Sequence, residues 1–235
     1  MRCARFGTLS SDALRHYIYY VGRGTRPTAS AKDVTIMDDF DNAIPRLNGV
    51  KRKVLRSELG LARDHLLRLD SDGRHRRFGH DVSDGYIHSY AAKMADIGNL
   101  TFGYFIDGQI RAIAELKQAD FGSGLGWGQT AEAAFSVERD FANQGLATLL
   151  MGQVIRSARN RGIRHLLLYC MADNAKMQSI ARKYQAELRI EDGSVVADIV
   201  PKRFDYLSLA GEVFDDRLGC MHAMMDLQTR ITRTS

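Results

Sequence analysis

The stretch FSVERDFANQGLATLLM, residues 135–151, decides the fold of this chain. An apolar run ends at Val137, a polar turn follows with one glycine at Gly145, and apolar residues then return at spacings of three and four. This pattern predicts a strand, a tight turn and a helix from about Gly145 to Asn160, with Gly162 as its C-terminal cap. The start of such a helix presents unpaired N–H groups and the positive end of the helix dipole, which suits a pyrophosphate. The alternative is an ordinary strand-to-helix connection.

The sequence on either side of this stretch predicts the remaining elements. The segment LTFGYFIDGQIRAIAEL reads as two strands joined at Asp107-Gly108, a strong hairpin signal. The run IRHLLLYC is nearly all apolar, as expected of a strand covered on both faces. The other predicted elements are helices capped at Ser57, at Ser83 and at Asp173 or Asn174, and a hairpin about Asp192-Gly193. The order α-α-β-β-β-α-β-α-β-β predicts an α/β (α+β) fold.

The chain divides into three parts by pattern. Residues 1–50 mix short apolar pieces with the loop-like run GRGTRPTASAKD, and we expect an N-terminal extension. Residues 51–200 hold the regular elements and form the expected domain. Residues 201–235 carry apolar side chains at helical spacing, and this C-terminal helical segment would cover the core or join a homodimer.

Composition narrows the class of protein. The chain has 235 residues and 45% hydrophobic content, enough for one sizeable core. No run approaches the roughly 20 apolar residues of a membrane span, so we expect a cytoplasmic protein without membrane contact. The cysteines Cys3, Cys170 and Cys220 are odd in number and widely spaced, which favours neither a disulfide framework nor a metal site.

Positive charge is concentrated early in the chain. The net charge is +5, and residues 46–77 hold ten basic against four acidic side chains. Such a segment attracts phosphates or acidic partners, including nucleic acid. A solvated helical face explains the same charges, and we expect this rather than a nucleic-acid-binding module.

The element order and one motif resemble the GNAT superfamily of N-acetyltransferases over roughly residues 55–200. That family carries Q/R-x-x-G-x-G/A after its fourth strand, and ANQGLA aligns with it. Gly145 and Ala147 match, whereas Ala142 stands where the family usually has Gln or Arg. The resemblance implies acetyl-CoA as cofactor and no metal. It assigns cofactor contacts to Ser136, Val137, Ala142, Asn143, Gln144, Gly145, Leu146, Ala147 and Asn174.

The resemblance also implies the architecture of the site. It predicts a mixed, mostly antiparallel twisted sheet with a splayed central strand pair, flanked by helices. The splay would free backbone groups near Ser136 and Val137 to bind pantetheine and polarise the acetyl carbonyl. Asn174 would lie near the pantetheine arm, or simply cap its helix. In many members a Tyr seven residues after this Asn acts as general acid toward the thiolate. At that position this chain has Ala181.

A base is needed because a primary amine, with a pKa of about 10.4, must lose a proton before it attacks a thioester. In related protein lysine acetyltransferases a glutamate in the same strand acts as base, and the resemblance points to Glu132. The alternative is that Glu132 is an exposed strand residue or pairs with an arginine. Transfer would be direct, within a ternary complex.

The acceptor is expected to meet the first helices and their loops, as is common in the family. Arg76, Arg77 and Phe78 could line a pocket for a carboxylate or acidic peptide, because Arg binds such groups through two hydrogen bonds. The alternative is a basic surface turn. Two functions remain open: transfer to the amine of a small molecule or protein lysine, or a non-catalytic acetyl-CoA/CoA-binding sensor.

Overall fold

A computed structural model describes residues 47–96, 98–118, 129–191, 193–202 and 205–233. The strands of the described chain are β1 (Val50–Lys53), β2 (Asn99–Ile106), β3 (Gln109–Gln118), β4 (Thr130–Val137), β5 (His165–Met171), β6 (Glu187–Glu191) and β7 (Ser194–Ile199). Its α-helices are α1 (Leu59–Arg68), α2 (Ser71–Phe78), α3 (Asp84–Lys93), α4 (Leu146–Asn160), α5 (Ala175–Lys183) and α6 (Tyr206–Arg233). Short 3-10 turns cover Arg56–Glu58 and Arg139–Phe141.

The strands form one seven-stranded sheet in the order β1-β2-β3-β4-β5-β7-β6. Neighbouring strands run antiparallel except for β4 and β5, which are parallel at the centre. The parallel pair needs a crossover, and α4 supplies it. The predicted mixed, mostly antiparallel sheet flanked by helices is therefore confirmed.

The two faces of the sheet carry separate cores. Ala131, Ala133 and Phe135 of β4 lie in the cluster that contains the buried side of α4. Because side chains alternate along a strand, Glu132 and Ser136 face the opposite side. That side is covered by α1, α2 and α3, whose buried side chains pack on Ile110 and Ile113 of β3. The predicted base thus faces the first three helices.

The structure corrects the predicted first helices. The first helix is not capped by Ser57, which lies inside the 3-10 turn, and α1 begins at Leu59. The segment RLDSDGRHRRF, read as a turn, contains the helix α2, whose N-cap Asp70 accepts a hydrogen bond from the Gly73 N–H at 2.7 Å. Strand β1 was also not predicted. The caps at Ser83 and Gly162 are confirmed.

Helix α6 docks on α4 through a buried carboxylate. Glu212 accepts hydrogen bonds from the Ser157 hydroxyl at 2.7 Å, the Asn160 amide at 2.5 Å and Arg161 at 2.8 Å. Burial raises the pKa of Glu212, but these donors outweigh it and the pKa is lowered overall. The opposite side of α6 exposes large apolar side chains, among them Leu207, Val213, Phe214, Leu218, Met221 and Met225. A homodimer through this side stays a prediction.

We expect Glu212→Ala to lower the free energy of unfolding by about 1–3 kcal/mol, because three donors lose a buried acceptor. Since the pKa of Glu212 is lower in the folded state, its contribution is present above the unfolded pKa and falls as pH drops through that range. Chemical denaturation at pH 7 and pH 4 measures both effects. Asp216→Ala is the control, because its half-exposed pair with Lys53 should contribute less than about 1 kcal/mol. Equal losses for the two variants would contradict the prediction.

Some predictions concern residues that the structure does not describe. The predicted N-terminal extension up to residue 46, with Cys3, and Asp192 of the second predicted hairpin lie outside the described residues. Among the described helices, none combines the length and apolar character that crossing a membrane requires.

Candidate active site

Strands β4 and β5 separate halfway along their length. Their parallel pairing runs from Thr130 opposite His165 to Ala133 opposite Leu168, although the strands continue to Val137 and Met171. On its other edge β4 stays paired with β3 up to Val137. The predicted splayed pair is therefore present, and the second half of β4 turns an unpaired edge toward the gap.

Hydrogen bonding at the end of β4 determines which backbone groups reach this gap. The Glu138 N–H donates to the Arg111 carbonyl on the β3 side at 3.0 Å. Because N–H groups alternate in direction along a strand, the Val137 N–H points to the opposite edge, where pairing with β5 has ended. A donor is thus aimed into the gap at the position expected for a polarised carbonyl.

The turn after β4 fits an anion. Gly145 has φ +82° at the N-cap of α4, and a Cβ built there would meet nothing within 4 Å. The first turn of α4 contains no acidic residue, and no side chain caps its N–H groups. Among the described residues, the N–H groups of Leu146, Ala147 and Thr148 have no hydrogen-bond acceptor. Open space, free donors and the helix dipole suit the pyrophosphate of a coenzyme.

The other predicted cofactor contacts flank this turn. Ala142, Asn143 and Gln144 connect the 3-10 turn to Gly145, and Asn143 has φ +61°. Asn174 is the N-cap of α5, and its Oδ1 accepts from the Met177 N–H at 3.2 Å. The capping role is thus present, and a contact with the pantetheine arm stays a prediction.

Neither residue near the usual general acid is available for that role. Ala181 is fully buried in the core. The Tyr184 hydroxyl donates to the Thr148 carbonyl at 3.0 Å, and the two residues are 36 positions apart in sequence. This bond ties α5 to α4, so Tyr184 serves the packing of the two helices.

The environment of Glu132, the predicted base, differs from that of the neighbouring acids. It is partly buried on the face of β4 that meets α1–α3, and burial raises the pKa of its carboxyl. Lys117, its cross-strand neighbour, and Arg77 offset part of that rise in pKa. Within the described residues the Glu132 carboxyl makes no hydrogen bond or ion pair.

Glu138, which directly follows β4, is fully engaged. Arg68 donates to its Oε1 at 2.8 Å and 3.0 Å, and Arg111 donates to its Oε2 at 2.9 Å. Burial alone would raise the pKa of Glu138, but hydrogen bonds from His65 and Arg68 lead a set of interactions that lowers it to about 2. A carboxylate this acidic is a poor base at neutral pH.

The three residues predicted to meet the acceptor lie in different environments. Arg77 is buried and donates to Glu115 at 2.6 Å, and Phe78 lies in the core beneath α1–α3. Burial opposes the charge of Glu115, yet Lys117 and Arg77 lower its pKa to about 2. Only Arg76 among the three has a half-exposed guanidinium, which contacts Asp72. The structure thus does not bring this trio together on one surface.

Many cations of the basic segment are neutralised by acids within the fold. The paired side chains are Arg52 with Glu58, Lys53 with Asp216, Arg63 with Asp64, Arg68 with Glu138, Arg74 with Asp84, Arg76 with Asp72 and Arg77 with Glu115. The segment therefore offers less free positive charge to a nucleic acid than its composition indicates.

Cys170 and possible metal ligands were the other chemical groups to locate among the described residues. Cys170 is buried, and burial raises the pKa of its thiol, as expected of a packed core residue. Over the part of the chain that the structure describes, no group of three or more His, Cys, Asp or Glu side chains is arranged to hold a metal ion.

A family model decides the classification. Residues 69–185 match the model described as the acetyltransferase (GNAT) family. The chain belongs to the GNAT family. The match spans α2 to α5 and therefore includes the splayed strands, the Gly145 turn and Glu132. The chain accordingly contains an acetyltransferase domain.

Solved structures share the fold of this GNAT domain. The GNAT domain of S. lividans PAT is 18% identical, with 65% of this chain and 90% of that chain covered and a TM-score of 0.55. The protein yncA from Salmonella typhimurium, solved with its cofactor acetyl-CoA, is 14% identical over 68% and 97% of the chains, with a TM-score of 0.52. The ribosomal-protein-S18-alanine N-acetyltransferase from Escherichia coli is 16% identical over 67% and 97%, with a TM-score of 0.50. At these identities the likeness establishes the fold. A comparison with curated proteins gave no match.

One residue of this GNAT site, His65 on α1, was not predicted from the sequence. Its side chain is completely buried and lies between Ser136 and Glu138. The available signal was its position, because His65 falls on the apolar side of α1 together with Ala62 and Leu66. An ionisable side chain at such a position requires hydrogen-bond partners.

Proposed function

We propose that this GNAT domain is an acetyl-CoA-dependent N-acetyltransferase that moves an acetyl group to a primary amine of a small molecule or a protein lysine. The observation that carries the proposal is the separation of β4 and β5 after Ala133, with the open Gly145 turn at the start of α4 beside it. A gap lined by free backbone donors, ending at a helix N-terminus, matches a ligand with an apolar arm and a pyrophosphate.

The backbone would hold the cofactor. N–H groups from Asn143 to Ala147 would donate to the pyrophosphate, and Val137 would donate to the acyl carbonyl. Asn174, at the start of α5, would lie along the pantetheine arm. When bound, acetyl-CoA supplies an acetyl thioester that an amine can attack directly.

Glu132 would accept the proton of the attacking amine. Its raised pKa brings the carboxylate closer to the range in which a base works efficiently near neutral pH. Glu138 and Glu115 are less suited, because the pKa of each is about 2: hydrogen bonds from His65 and Arg68 lower that of Glu138, and Lys117 and Arg77 lower that of Glu115. A proton taken by Glu132 leaves to solvent or to the departing thiolate.

The non-catalytic sensor is the second candidate, favoured by Ala142 and Ala181 at two positions where the family usually places functional side chains. Release of CoA from acetyl-CoA, measured against a panel of amines and lysine peptides, separates the two. Turnover that depends on an amine supports the transferase. Saturable acetyl-CoA binding with no turnover on any amine supports the sensor.

Arg76 is our candidate for contact with an acceptor carboxylate, because its guanidinium is half-exposed and also lies 3.5 Å from Asp173, next to Asn174. We expect Arg76→Ala to raise KM for a carboxylate-bearing acceptor about tenfold through loss of one charge-assisted contact. The affinity for acetyl-CoA should not change.

Steady-state kinetics with matched acidic and neutral acceptors test this expectation. Arg63→Ala is the control, because Arg63 is similarly exposed and pairs with its neighbour Asp64. An equal rise in KM for acidic and neutral acceptors would refute carboxylate recognition by Arg76.

A further inference from the structure

Three polar side chains form a continuous hydrogen-bonded line at the end of β4. The Ser136 Oγ lies 2.9 Å from His65 Nε2, and His65 Nδ1 lies 3.1 Å from Glu138 Oε1. His65 comes from α1 and is separated from its partners by 71 and 73 residues. A hydroxyl, an imidazole and a carboxylate in this order are the groups of a nucleophile, its base and the residue that orients the base.

Charge determines which nitrogen of His65 carries the hydrogen. The pKa of Glu138 is about 2, so the carboxylate is ionised at neutral pH and can only accept hydrogen bonds. His65 Nδ1 must therefore donate to Glu138. Burial lowers the pKa of His65, against the opposing effect of Glu138, so the ring stays neutral. The lone pair of Nε2 then faces the Ser136 hydroxyl, which donates to it.

Arg68 and Arg111 hold the orienting carboxylate in place. Together they donate three hydrogen bonds to Glu138, which leaves Oε1 directed at His65. Arg68 also donates to the Ile110 carbonyl at 2.8 Å, which ties it to β3. The base therefore has little freedom to turn away from Ser136.

The line ends on the part of β4 that borders the gap between the separated strands. Ser136 lies on the half of β4 that has lost its partner β5, and the next residue, Val137, directs its N–H to the unpaired edge. A backbone N–H next to a nucleophilic serine is a common oxyanion donor in acyl-transfer enzymes. Glu132 lies on the same face four residues earlier, roughly 13 Å along the strand.

We propose that Ser136 is a nucleophile toward activated acyl groups, with His65 as its base and Glu138 as the residue that positions His65, so that this site also hydrolyses esters or thioesters. The activity is a second route, with water as acceptor, beside direct transfer to an amine. It rests on the proposed function only in placing the acyl donor in the same gap.

The route balances without any further reactant. Ser136 Oγ bonds to the acyl carbon while its proton passes to His65 Nε2. The bond from the acyl carbon to the leaving oxygen or sulfur breaks, and the leaving group takes that proton. Water then attacks the acyl-serine and gives a proton to Nε2, the acid departs with the hydroxyl, and Oγ recovers its proton.

The test uses the full chain, a fluorophosphonate probe and p-nitrophenyl acetate. We expect the probe to label Ser136, identified by peptide mass spectrometry, and p-nitrophenol to be released with an acetylated Ser136 detectable early in the reaction. Ser136→Ala should abolish both signals. His65→Gln should slow labelling by about 10²-fold or more, because the base is lost.

Ser89→Ala is the control, because Ser89 is exposed on α3 and, within the described ranges, its hydroxyl donates only to the Gly85 carbonyl. If labelling depended on exposure of the serine hydroxyl and not on activation by His65, the probe would label Ser89, which would overturn the proposal. Folded protein with no label on Ser136 would also overturn it. Failure of the transferase would look different: acetyl-CoA would neither stabilise the chain nor acetylate any amine, whatever happens at Ser136.

Discussion

Gly145→Val is expected to abolish binding of acetyl-CoA while the protein remains folded. The open space beside Gly145 is where the proposed pyrophosphate approaches the backbone, and a valine would fill it. The φ of +82° is also unfavourable for a β-branched residue and would cost about 1–3 kcal/mol of stability. The variant thus combines a steric block with a distortion of the donors.

Thermal unfolding with and without acetyl-CoA measures this loss. Ligand at a hundredfold excess over Kd should stabilise the parent by about 2.7 kcal/mol, and the variant by nothing measurable. Gly162→Val is a matched control, because Gly162 has φ +71°, has equally open space around its Cβ position and ends the same helix. It carries the same strain roughly 22 Å from the turn.

The two glycine variants separate a block at the anion site from general strain in α4. Both variants should melt below the parent, and only Gly162→Val should retain the shift caused by acetyl-CoA. If Gly145→Val kept a normal shift, the cofactor would bind elsewhere on the domain. If both variants lost it equally, the effect would come from strain in α4 and not from the anion site.

Glu132→Gln should reduce kcat by about 10²-fold or more with acetyl-CoA affinity near normal. Gln keeps the shape and hydrogen bonding of the side chain but cannot take a proton from the amine. Activity should recover in part at high pH, where more of the amine is already free. Glu187→Gln, an exposed carboxylate on β6, is the control.

Although Glu132→Gln should lower kcat, the pKa shift of Glu132 predicts that it does not lower the stability of the fold. Burial raises its folded pKa, so ionisation of Glu132 disfavours the folded state once pH rises past the unfolded value. Glu132→Gln should therefore be as stable as the parent at low pH and slightly more stable at pH 8. A variant with slow turnover and undiminished stability excludes misfolding as the cause. Parent-like kcat and pH profile would remove Glu132 as the base.

Local features of this protein were predictable from its sequence. The hairpin at Asp107-Gly108, the Gly145 turn and the end of α4 at Gly162 depend on backbone conformations set within a few residues. Apolar residues at helical spacing likewise predicted α1 and α4, and a nearly continuous apolar run predicted β5. The resemblance added a splayed strand pair, which the pairing of β4 and β5 bears out.

Weakly patterned elements could not be predicted from the sequence. Strand β1 reads VKRK, and α2 reads SDGRHRRF with Phe78 as its buried residue, so neither has an apolar period. Pairing with β2 holds β1 in the sheet, and an ion pair between Arg77 and Glu115 ties α2 to β3. These stabilising contacts come from distant parts of the chain.

Electrostatic roles at the site were decided by tertiary structure alone. Glu115, Glu132 and Glu138 are the same residue type in the sequence, yet burial raises the pKa of Glu132. Lys117 and Arg77 lower the pKa of Glu115 to about 2, and hydrogen bonds from His65 and Arg68 lower that of Glu138 to about 2. His65 meets Ser136 and Glu138 only because α1 folds across β4. The sequence by itself determined where the chain bends and which faces are apolar, because those properties depend on near neighbours. Which carboxylate is free to accept a proton, and which serine has a base, depends on contacts between residues that are distant in sequence, so only the tertiary structure could decide it.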